Sequence, residues 1–342
     1  MRLLILGSGR MAGAHAEAFS KINGVEITGC VDLDGARASE FAREHSIPAS
    51  FDTFDAALSG INFDAVTNCT PDAAHYSTTM AVLSAGKHVL CEKPLATSYE
   101  QAREMTEAAE AAGVVNGVNL TYRNVAALQK ARQLVEAGSL GAIKHFEASY
   151  KQSWLAQPAW GDWRTHDEWL WRLSTAHGSL GVAGDIGIHI FDFLTFAAGE
   201  DIAEISPVRA RFDKAPPNET IGKYHLDAND SVTMTASLSG GAHGVISATR
   251  YATGHLNDLS LGLFGDKGAL RITNAGEFGT FEICAGPDLE TAKWRRKRLG
   301  PVLTNYEKFA RAVNGGPEMS PGFRVASDLQ RFVDQAAGIV QS

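Results

Sequence analysis

The alternation of short apolar runs with helix-forming segments over residues 1–120 constrains the fold more than any other feature. The apolar runs, each of a length typical of a buried strand, lie at residues 3–6, 25–31, 65–69, 88–91 and 114–118, with a weaker run at 49–51. Helical patterns lie between them, at residues 12–21, 36–44, 55–58, 73–84 and 99–112. Asp72 and Ser98 precede two of these helices and are predicted to cap them. This alternation predicts an α/β domain with a doubly wound parallel sheet.

The first turn between a strand and a helix carries a glycine-rich fingerprint, which reads GSGRMA from residue 7. Gly7 permits a tight turn, Gly9 lets backbone N–H groups approach a pyrophosphate, and Ala12 is small enough for close helix–strand packing. The residues of this turn that we expect to contact a dinucleotide are Gly7, Ser8, Gly9, Arg10 and Met11.

An acidic residue, Asp32, ends the second predicted strand about 20 residues beyond the fingerprint. A carboxylate at this place accepts hydrogen bonds from a ribose diol and repels a 2′-phosphate, so NAD is predicted in preference to NADP. Arg37 would weaken that preference if it reached the same pocket. The alternative is that Asp32 is only a turn or capping residue, since Asp34 and Gly35 follow it.

Residues beyond 120 follow a different pattern. After a predicted amphipathic helix at 125–136, β-like segments recur at residues 143–152, 231–237, 243–249, 258–264 and 268–272. They predict a second, α+β domain with an open, largely antiparallel sheet. We therefore expect a Rossmann-type dinucleotide-binding domain over residues 1–120 and a substrate-binding and oligomerisation domain over residues 121–342, whose last helix packs back near the first domain. An open sheet face commonly meets a partner subunit, which favours a homodimer or homotetramer.

The formal charge of −8 and the absence of a long apolar run exclude several classes of protein. Nucleic-acid-binding domains are usually basic, and a membrane span needs roughly 18 apolar residues. The N-terminal apolar run is too short for a signal peptide, and the four cysteines lack metal or disulfide spacing. We expect a cytoplasmic protein without a metal, membrane or nucleic-acid partner. The basic run at residues 293–298 is either a phosphate-binding patch or, as we favour, a solvated edge.

Polar residues follow two of the predicted parallel strands at the edge where such sheets bind ligands. Glu92, Lys93 and Pro94 come directly after the run at 88–91, and Pro94 keeps Lys93 out of the helical conformation. We expect Glu92 and Lys93 to lie beside the cofactor. The alternative is a solvated surface ion pair.

The loop after the fourth strand reads CTPDAAH from residue 69 and leads into a helix N-terminus. We expect Thr70, Pro71 and His75 on the cofactor side of the sheet. As isolated histidines, however, His75 and His15 more often serve as packing residues.

Five of the six tryptophans fall within residues 154–171, interleaved with basic side chains. Pro158 and Gly161 interrupt any helical period, so this segment is predicted to be a long loop with short helical turns. Its rings and arginines either bind the faces and hydroxyls of a sugar or plug a core or a subunit interface, and both alternatives stay open. The candidate substrate-binding side chains are Arg123, at the domain junction, and Trp154, Trp163, Arg164, Trp171 and Arg172.

Asp185 and His189 are four residues apart in the segment 181–192, so on a helix they lie on one face about a turn apart. Asp192 falls roughly on the same side. This spacing alone also fits a surface ion pair or a partial metal site, although a metal would want further ligands at regular spacing.

Three motifs together resemble those of the Gfo/Idh/MocA family of nicotinamide-dependent sugar and polyol oxidoreductases. They are Glu-Lys-Pro at residues 92–94, Thr-Pro-Asn-x-x-His at residues 70–75 with Asp72 in place of Asn, and Gly-Asp-x-Gly-x-His-x-x-Asp at residues 184–192. The resemblance covers essentially the whole chain and is strongest over residues 1–200. It implies that the Lys93–Pro94 bond is cis and that Lys93, Asp185 and His189 are catalytic and contact the substrate.

The activity that this resemblance implies is NAD-dependent hydride transfer between nicotinamide C4 and a secondary hydroxyl of a sugar, sugar derivative or cyclic polyol. His189 would take the hydroxyl proton, Asp185 would orient the imidazole or touch a neighbouring hydroxyl, and Lys93 would stabilise the developing alkoxide. Two alternatives stay open: a redox-neutral glycosidase that uses bound NAD, and a non-catalytic NAD-binding regulator.

Overall fold

The computed structural model describes residues 1–214 and 220–339. The chain divides into two units of packing. The first comprises Met1–Leu120 with Leu303–Gln330, and the second comprises Thr121–Val302 with the segment that begins at Arg331.

A six-stranded sheet forms the centre of the first unit. Its strands are β1 (Arg2–Leu6), β2 (Glu26–Val31), β3 (Ser50–Phe51), β4 (Ala65–Asn68), β5 (His88–Cys91) and β6 (Asn116–Val118). All pairs are parallel, and the order is β3-β2-β1-β4-β5-β6. The predicted doubly wound parallel sheet is confirmed. The strand order reverses between β1 and β4, and such a switch point forms a crevice for a dinucleotide at the carboxyl ends of the strands.

The helices between these strands also follow the predicted pattern. They are α1 (Arg10–Ser20), α2 (Gly35–Glu44), α3 (Phe54–Gly60), α4 (His75–Ser84) and α5 (Tyr99–Ala112). Ser98 caps α5 as predicted, because its hydroxyl accepts a hydrogen bond from the Gln101 N–H at 3.3 Å. The prediction that Asp72 caps a helix is wrong. Pro71, with its extended backbone, takes the capping position, and Asp72 opens a single 3₁₀ turn ahead of α4.

The second unit contains an eight-stranded sheet and a two-stranded hairpin. Its strands are β7 (Ile143–Gln152), β8 (Ile202–Ala210), β9 (Thr220–Ile221), β10 (Tyr224–His225), β11 (Ser231–Leu238), β12 (His243–Thr249), β13 (Asn257–Gly265), β14 (Gly268–Thr273), β15 (Thr280–Ala285) and β16 (Arg295–Arg296). The large sheet has the order β16-β15-β14-β13-β7-β12-β11-β8, and β9 pairs with β10. Only β7 and β12 pair in parallel within it. The predicted open, largely antiparallel sheet is confirmed.

The remaining helices are α6 (Ala126–Glu136), α7 (Asp167–Leu170), α8 (Ile188–Ala198), α9 (Asn305–Val313) and α10 (Phe323–Ala337). Helices α6 and α8 pack on the large sheet. Along β7, side chains such as Phe146 and Ala148 are buried, whereas the intervening Glu147 is exposed. Helix α8 is apolar nearly all round because it lies inside the unit. In the described ranges, no helix combines the length and apolar character that a membrane crossing requires.

Candidate functional site

The glycine-rich turn presents an open helix N-terminus. Gly7 adopts φ +89°, and a Cβ there would come 2.7 Å from the Cys69 carbonyl oxygen, so this position requires glycine. A Cβ on Gly9, by contrast, would meet nothing within 4 Å among the described residues. No side chain of the described chain caps α1, which begins with Arg10 and Met11. Its first backbone N–H groups are therefore available to the pyrophosphate of a dinucleotide.

Asp32 lies at the carboxyl end of β2, where its carboxylate gathers several donors. It accepts hydrogen bonds from the Ser8 N–H at 3.0 Å and hydroxyl at 2.6 Å, and from the Asp34 N–H at 3.0 Å. Arg37 Nη2 lies 2.6 Å from Asp32 Oδ1, so this arginine does reach the same pocket. Burial opposes ionisation of Asp32, but the hydrogen bonds from Arg37, Ser8 and Asp34 lower its pKa.

A cavity of about 380 Å³ opens beside these residues. Asp32, Leu33 and Arg37 line one part of its wall, and Thr70 and Pro71 line another. Leu33 is 92% exposed, which is unusual for so large an apolar side chain and suits the face of an adenine ring. The turn, the carboxylate and this cavity together fit the adenosine and pyrophosphate parts of NAD.

His75 is fully buried and joins two loops of the first unit. Its Nδ1 lies 2.7 Å from the Pro94 carbonyl oxygen and its Nε2 lies 2.8 Å from the Thr70 carbonyl oxygen. Both nitrogens face acceptors, so the ring is protonated on both. Burial works to lower the pKa of His75, but the Cys91 sulfur, the Asp72 carboxylate and the Pro94 carbonyl raise it to about 10. This geometry supports the packing alternative, in which His75 holds the loops that line the crevice.

Glu92 is buried and holds the loop that carries Lys93. Its Oε1 accepts hydrogen bonds from His15 Nε2 and from Asn119 Nδ2, each at 2.7 Å. Burial would raise the pKa of Glu92, but hydrogen bonds and charge from His15, the Asn119 amide and the charge of Lys93 lower it to about 2. The alternative of a solvated Glu–Lys pair is therefore wrong for Glu92. His15 Nδ1 in turn contacts the Thr67 hydroxyl at 2.6 Å, which links β4 to this cluster.

Lys93 is the second residue after β5 and is half-buried at the carboxyl edge of the parallel sheet. The Lys93–Pro94 bond is cis, as the family resemblance implied. The Glu92 carboxylate accepts the Lys93 backbone N–H at 3.2 Å. The loop backbone is thus held at the Lys93 N–H by the Glu92 carboxylate and at the Pro94 carbonyl by His75.

In the second unit, Asp185 and His189 lie at the start of α8. Asp185 belongs to a π-helical turn, Ala183–Gly187, and His189 is the second residue of the α-helix that continues from it. A π-helical turn is wider than an α-helical one and occurs frequently at functional sites. The four-residue spacing did not reveal this change of geometry.

The Asp185 carboxylate faces two arginines. Its Oδ2 accepts a hydrogen bond from Arg250 Nη2 at 3.0 Å, and its Oδ1 lies 3.6 Å from Arg172 Nε. Arg172 was among the predicted site residues, whereas Arg250, which lies 65 residues beyond Asp185, was not. Two guanidinium groups at this distance favour the ionised carboxylate.

The His189 ring is buried against tyrosines that the sequence analysis also missed. It meets Tyr122 edge-on, with ring centroids 5.0 Å apart, and Tyr150 at 6.3 Å. The two tyrosine hydroxyls lie 2.6 Å apart, and both hydrogen-bond to Asn257. Burial raises the pKa of both Tyr122 and Tyr150, so their hydroxyls stay protonated. These aromatic walls fix the orientation of the imidazole.

Arg123 and Asp192 form a buried pair of their own. Arg123 Nε donates to both carboxylate oxygens of Asp192, at 2.9 and 3.0 Å, and the guanidinium lies over the Phe196 ring. The side chain of Asp192 therefore faces Arg123. The predicted role of Arg123 in substrate binding finds no support in this geometry, since Asp192 already matches its charge.

The tryptophan-rich loop consists of short helical turns, as predicted. Trp154 and Trp163 are 2% and 4% exposed and belong to an apolar cluster, which supports the core alternative for these two. Trp171 is half-buried beneath the Arg172 guanidinium, which lies 4.6 Å from its ring centroid. Arg164 is exposed and pairs with Asp162. Across the described residues, no group of three or more metal-ligating side chains comes together.

Two family models match the chain in succession. Residues 1–120 match the model described as oxidoreductase family, NAD-binding Rossmann fold, and residues 128–271 match the GFO/IDH/MocA C-terminal domain. The chain belongs to the Gfo/Idh/MocA family. The sequence-based prediction of an NAD-dependent oxidoreductase is thereby confirmed.

Relatives of this Gfo/Idh/MocA protein include two curated enzymes and a solved structure. Levoglucosan dehydrogenase of Pseudarthrobacter phenanthrenivorans is 25% identical over an alignment of 379 positions, and the match covers 97% of this chain and 95% of that protein. The 1,5-anhydro-D-fructose reductase of Ensifer adhaerens is 33% identical over 203 residues, 58% of this chain and 57% of that protein. An oxidoreductase domain protein from Kribbella flavida has a TM-score of 0.83 and 28% identity, and the match covers 98% of this chain and 96% of that one.

Proposed function

We propose that this oxidoreductase converts a secondary hydroxyl of a sugar, sugar derivative or cyclic polyol into a ketone, or reduces the ketone in the reverse direction. The observation that carries this proposal is the position of Lys93. It follows β5 at the same carboxyl edge of the sheet as the glycine-rich turn after β1. Curated relatives named for levoglucosan and 1,5-anhydro-D-fructose support a carbohydrate substrate.

In the proposed reaction the substrate carbon loses a hydride and its oxygen loses a proton, which leaves a C=O bond. NAD, when bound, supplies nicotinamide C4 as the hydride acceptor. His189 takes the hydroxyl proton, because an imidazole is basic enough near neutral pH and regains its neutral form readily. Lys93 places positive charge against the developing alkoxide, and Asp185 accepts a hydrogen bond from the imidazole or from a neighbouring hydroxyl. The candidate side chains with remaining exposed surface for further sugar contacts are Arg164, Trp171 and Arg172.

Residues 1–120 carry the cofactor site in this proposal. The turn from Gly7 to Met11 holds the pyrophosphate through backbone N–H groups, and the loop at Thr70 and Pro71 closes the crevice. Asp32 accepts the ribose hydroxyls, which favours NAD over NADP because a 2′-phosphate would meet its negative charge. Glu92 and His75 act indirectly, by holding the loops.

The deciding experiment measures NADH formation with the purified protein across sugars, anhydrosugars, glycosides, inositols and sugar acids, with NAD and NADP in parallel. We expect one class to give NADH at a rate well above the buffer control. Release of sugar from a synthetic glycoside without net NADH would instead support the redox-neutral glycosidase. Tight NAD binding without activity on any member would support the regulator.

We also propose that the second unit, Thr121–Val302 with the segment that begins at Arg331, is the substrate-binding and oligomerisation domain, and that it pairs through the large sheet as a homodimer or homotetramer. A hollow of about 490 Å³ lies on the sheet, lined by Val245, Phe264 and four charged side chains of mixed sign, Glu147, Lys151, Arg271 and Glu282. Two copies related by a twofold axis can set opposite charges against each other across such a face.

Light scattering after size-exclusion chromatography tests this proposal. Val245 is 42% exposed and lines this hollow, so Val245→Arg should shift the mass towards that of a monomer. His225→Arg, on the small hairpin, is the control that should leave the mass unchanged. A wild-type monomer at micromolar concentration would contradict the proposal.

The four free cysteines support a reducing, cytoplasmic location, which cell fractionation can test.

A further inference from the structure

Arg250 is a fully buried arginine that sequence reasoning did not select. It follows β12, and its backbone is held on both sides: its N–H donates to the Asp230 carbonyl, and its carbonyl accepts from the Leu155 N–H. A buried guanidinium is costly unless its donors are matched. The partners of this guanidinium therefore indicate what it stabilises.

These partners lie around the start of α8. Arg250 Nη1 donates to the Arg172 carbonyl, and Nη2 donates to both the Gly181 carbonyl and Asp185 Oδ2, each at 3.0 Å. The Trp154 ring lies against the guanidinium at 5.2 Å. The planar guanidinium of Arg250 therefore binds the carbonyls at both ends of the 172–181 segment and also the Asp185 carboxylate of the π-helical turn.

The charges around Arg250 are asymmetric. Asp230, a second carboxylate that influences Arg250, is paired with the buried Lys214 at 2.5 Å. Burial lowers the pKa of Arg250 and Arg172 acts in the same direction, whereas Asp185 and Asp230 oppose the shift. An arginine nevertheless remains protonated in proteins. Asp185 is thus the carboxylate to which Arg250 directs its charge.

We propose that Arg250 is a positioning residue for Asp185, which it holds as a fixed, permanently ionised hydrogen-bond acceptor beside His189. The inference rests on the proposed function, because it assigns a role within that reaction. Its consequence is a division of labour: the proton moves to His189, whereas Asp185 orients and does not exchange protons during turnover. A lysine at position 250 could supply the charge but not the planar fork that reaches two carbonyls and the carboxylate together.

A double-mutant cycle tests this role. We expect Arg250→Met and Asp185→Asn each to lower kcat by about a hundredfold, the cost typical of a misplaced catalytic group, with the Kd for NAD unchanged. If Arg250 acts through Asp185, Arg250→Met in the Asp185→Asn background should cost less than about threefold more. Arg250→Lys should lose most of the activity as well.

Arg209 is the matched control. It also donates to two backbone carbonyls, those of Gln335 and Ala336 at 2.7 Å, but it lies in β8, away from Asp185. Arg209→Met should keep kcat within about twofold of the wild type, because its hydrogen bonds contribute only to stability.

The outcomes separate the inference from the proposed function. A wild-type enzyme without NADH formation on any carbohydrate overturns both. If the wild type is active, two results overturn the inference alone. One is a double variant whose loss of kcat equals the product of the two single losses, and the other is a normal kcat in Arg250→Met. If Arg250→Met does not fold, as judged by circular dichroism, the same cycle with Arg250→Lys decides, and normal kcat in that variant is the contradictory result.

Discussion

The carboxylate next to Lys93 and the two carboxylates near the start of α8 are held in different ways. In the first unit, Glu92 is held by the imidazole of His15 and the amide of Asn119. In the second unit, Asp192 and Asp185 each face arginine, Arg123 in one case and Arg250 in the other. The first arrangement links His15 on α1 to Glu92 and Asn119, which follow the neighbouring parallel strands β5 and β6. The second spans loops and an irregular helix start, where the backbone gives less support.

This difference shows what each region needs in order to hold a reactive group. A loop on the carboxyl edge of a parallel sheet is positioned by its strands, so hydrogen bonds to one buried acid are enough. A helix that begins with a π-helical turn has no such frame, and the planar fork of arginine supplies both charge and direction. We expect the two arrangements to respond differently to substitution.

The largest effects are expected from the reactive side chains themselves, one from each unit. Lys93→Met should lower kcat by about a thousandfold because the developing alkoxide loses its positive charge. His189→Ala should cost at least as much, because the proton acceptor is gone. NAD titration by fluorescence should give nearly unchanged affinity in both variants. Undiminished turnover in either variant would remove that residue from the chemistry.

The next effect concerns the arginine-held acid Asp192. Arg123→Met leaves a buried carboxylate without its cation, which should cost about 3–5 kcal/mol of unfolding free energy. The double variant Arg123→Met/Asp192→Leu should recover most of that loss, because neither charge remains buried. All six tryptophans lie in the second unit, so fluorescence during urea unfolding reports on it selectively. A loss below about 1 kcal/mol in the single variant would show that the pair is replaceable by water.

Glu92, which is held by the His15 imidazole and the Asn119 amide, should contribute as much to stability as the Arg123–Asp192 pair only above pH 4.5. The folded pKa of Glu92, about 2, lies below its ordinary value of 4.5, so the folded state binds fewer protons. The stability from Glu92 is therefore fully present above pH 4.5 and is lost as the pH falls towards 2. At pH 7 Glu92→Gln should cost about 3 kcal/mol, since each pKa unit corresponds to about 1.4 kcal/mol.

Urea unfolding of the wild type and Glu92→Gln at pH 7, 5 and 3, followed by circular dichroism, measures this dependence. The difference between the two proteins should shrink at pH 3. Tryptophan fluorescence serves as the internal control, because the second unit should unfold alike in both proteins. A difference that stays constant down to pH 3 would show that packing, and not charge, explains the loss.

The regular part of each unit was predictable because local signals suffice there. Gly86 and Pro94 bracket β5, Ser98 caps α5, and both elements match their predicted bounds. Alternation of outward-facing and buried residues did the same for β12 and, from Phe146 onwards, for β7. These signals depend on neighbours along the chain, so a single sequence contains them.

The missed features depend on contacts between distant residues. His15 meets Glu92 across 77 residues, and Arg250 meets Asp185 across 65. An isolated histidine or arginine gives no sign of such a partner. Trp154 is likewise buried in a cluster that includes the distant Tyr224 and Leu226, and composition alone does not distinguish a ring in a core from one that faces a sugar.

The smallest effect concerns an acid–arginine pair that differs from the Arg250 pair mainly in exposure. The Arg37 side chain, which pairs with Asp32, is 59% exposed, whereas the Arg250 side chain, which pairs with Asp185, is fully buried. An exposed guanidinium can turn towards a ligand phosphate without leaving a charge buried, whereas a buried one cannot. Arg37→Ala should therefore weaken NADP binding by roughly tenfold and leave NAD binding within about twofold.

Binding isotherms for both cofactors, at low and at physiological salt, distinguish this role from a purely structural one. The NADP effect should shrink as salt screens the exposed charge, whereas losses at Arg250 should not depend on salt. Arg43→Ala, at the other end of α2, is the control for a general loss of positive charge. Equal weakening of NAD and NADP by Arg37→Ala would mean that Arg37 only holds Asp32 in place. Exposure would then not separate a ligand-reading arginine from a positioning one.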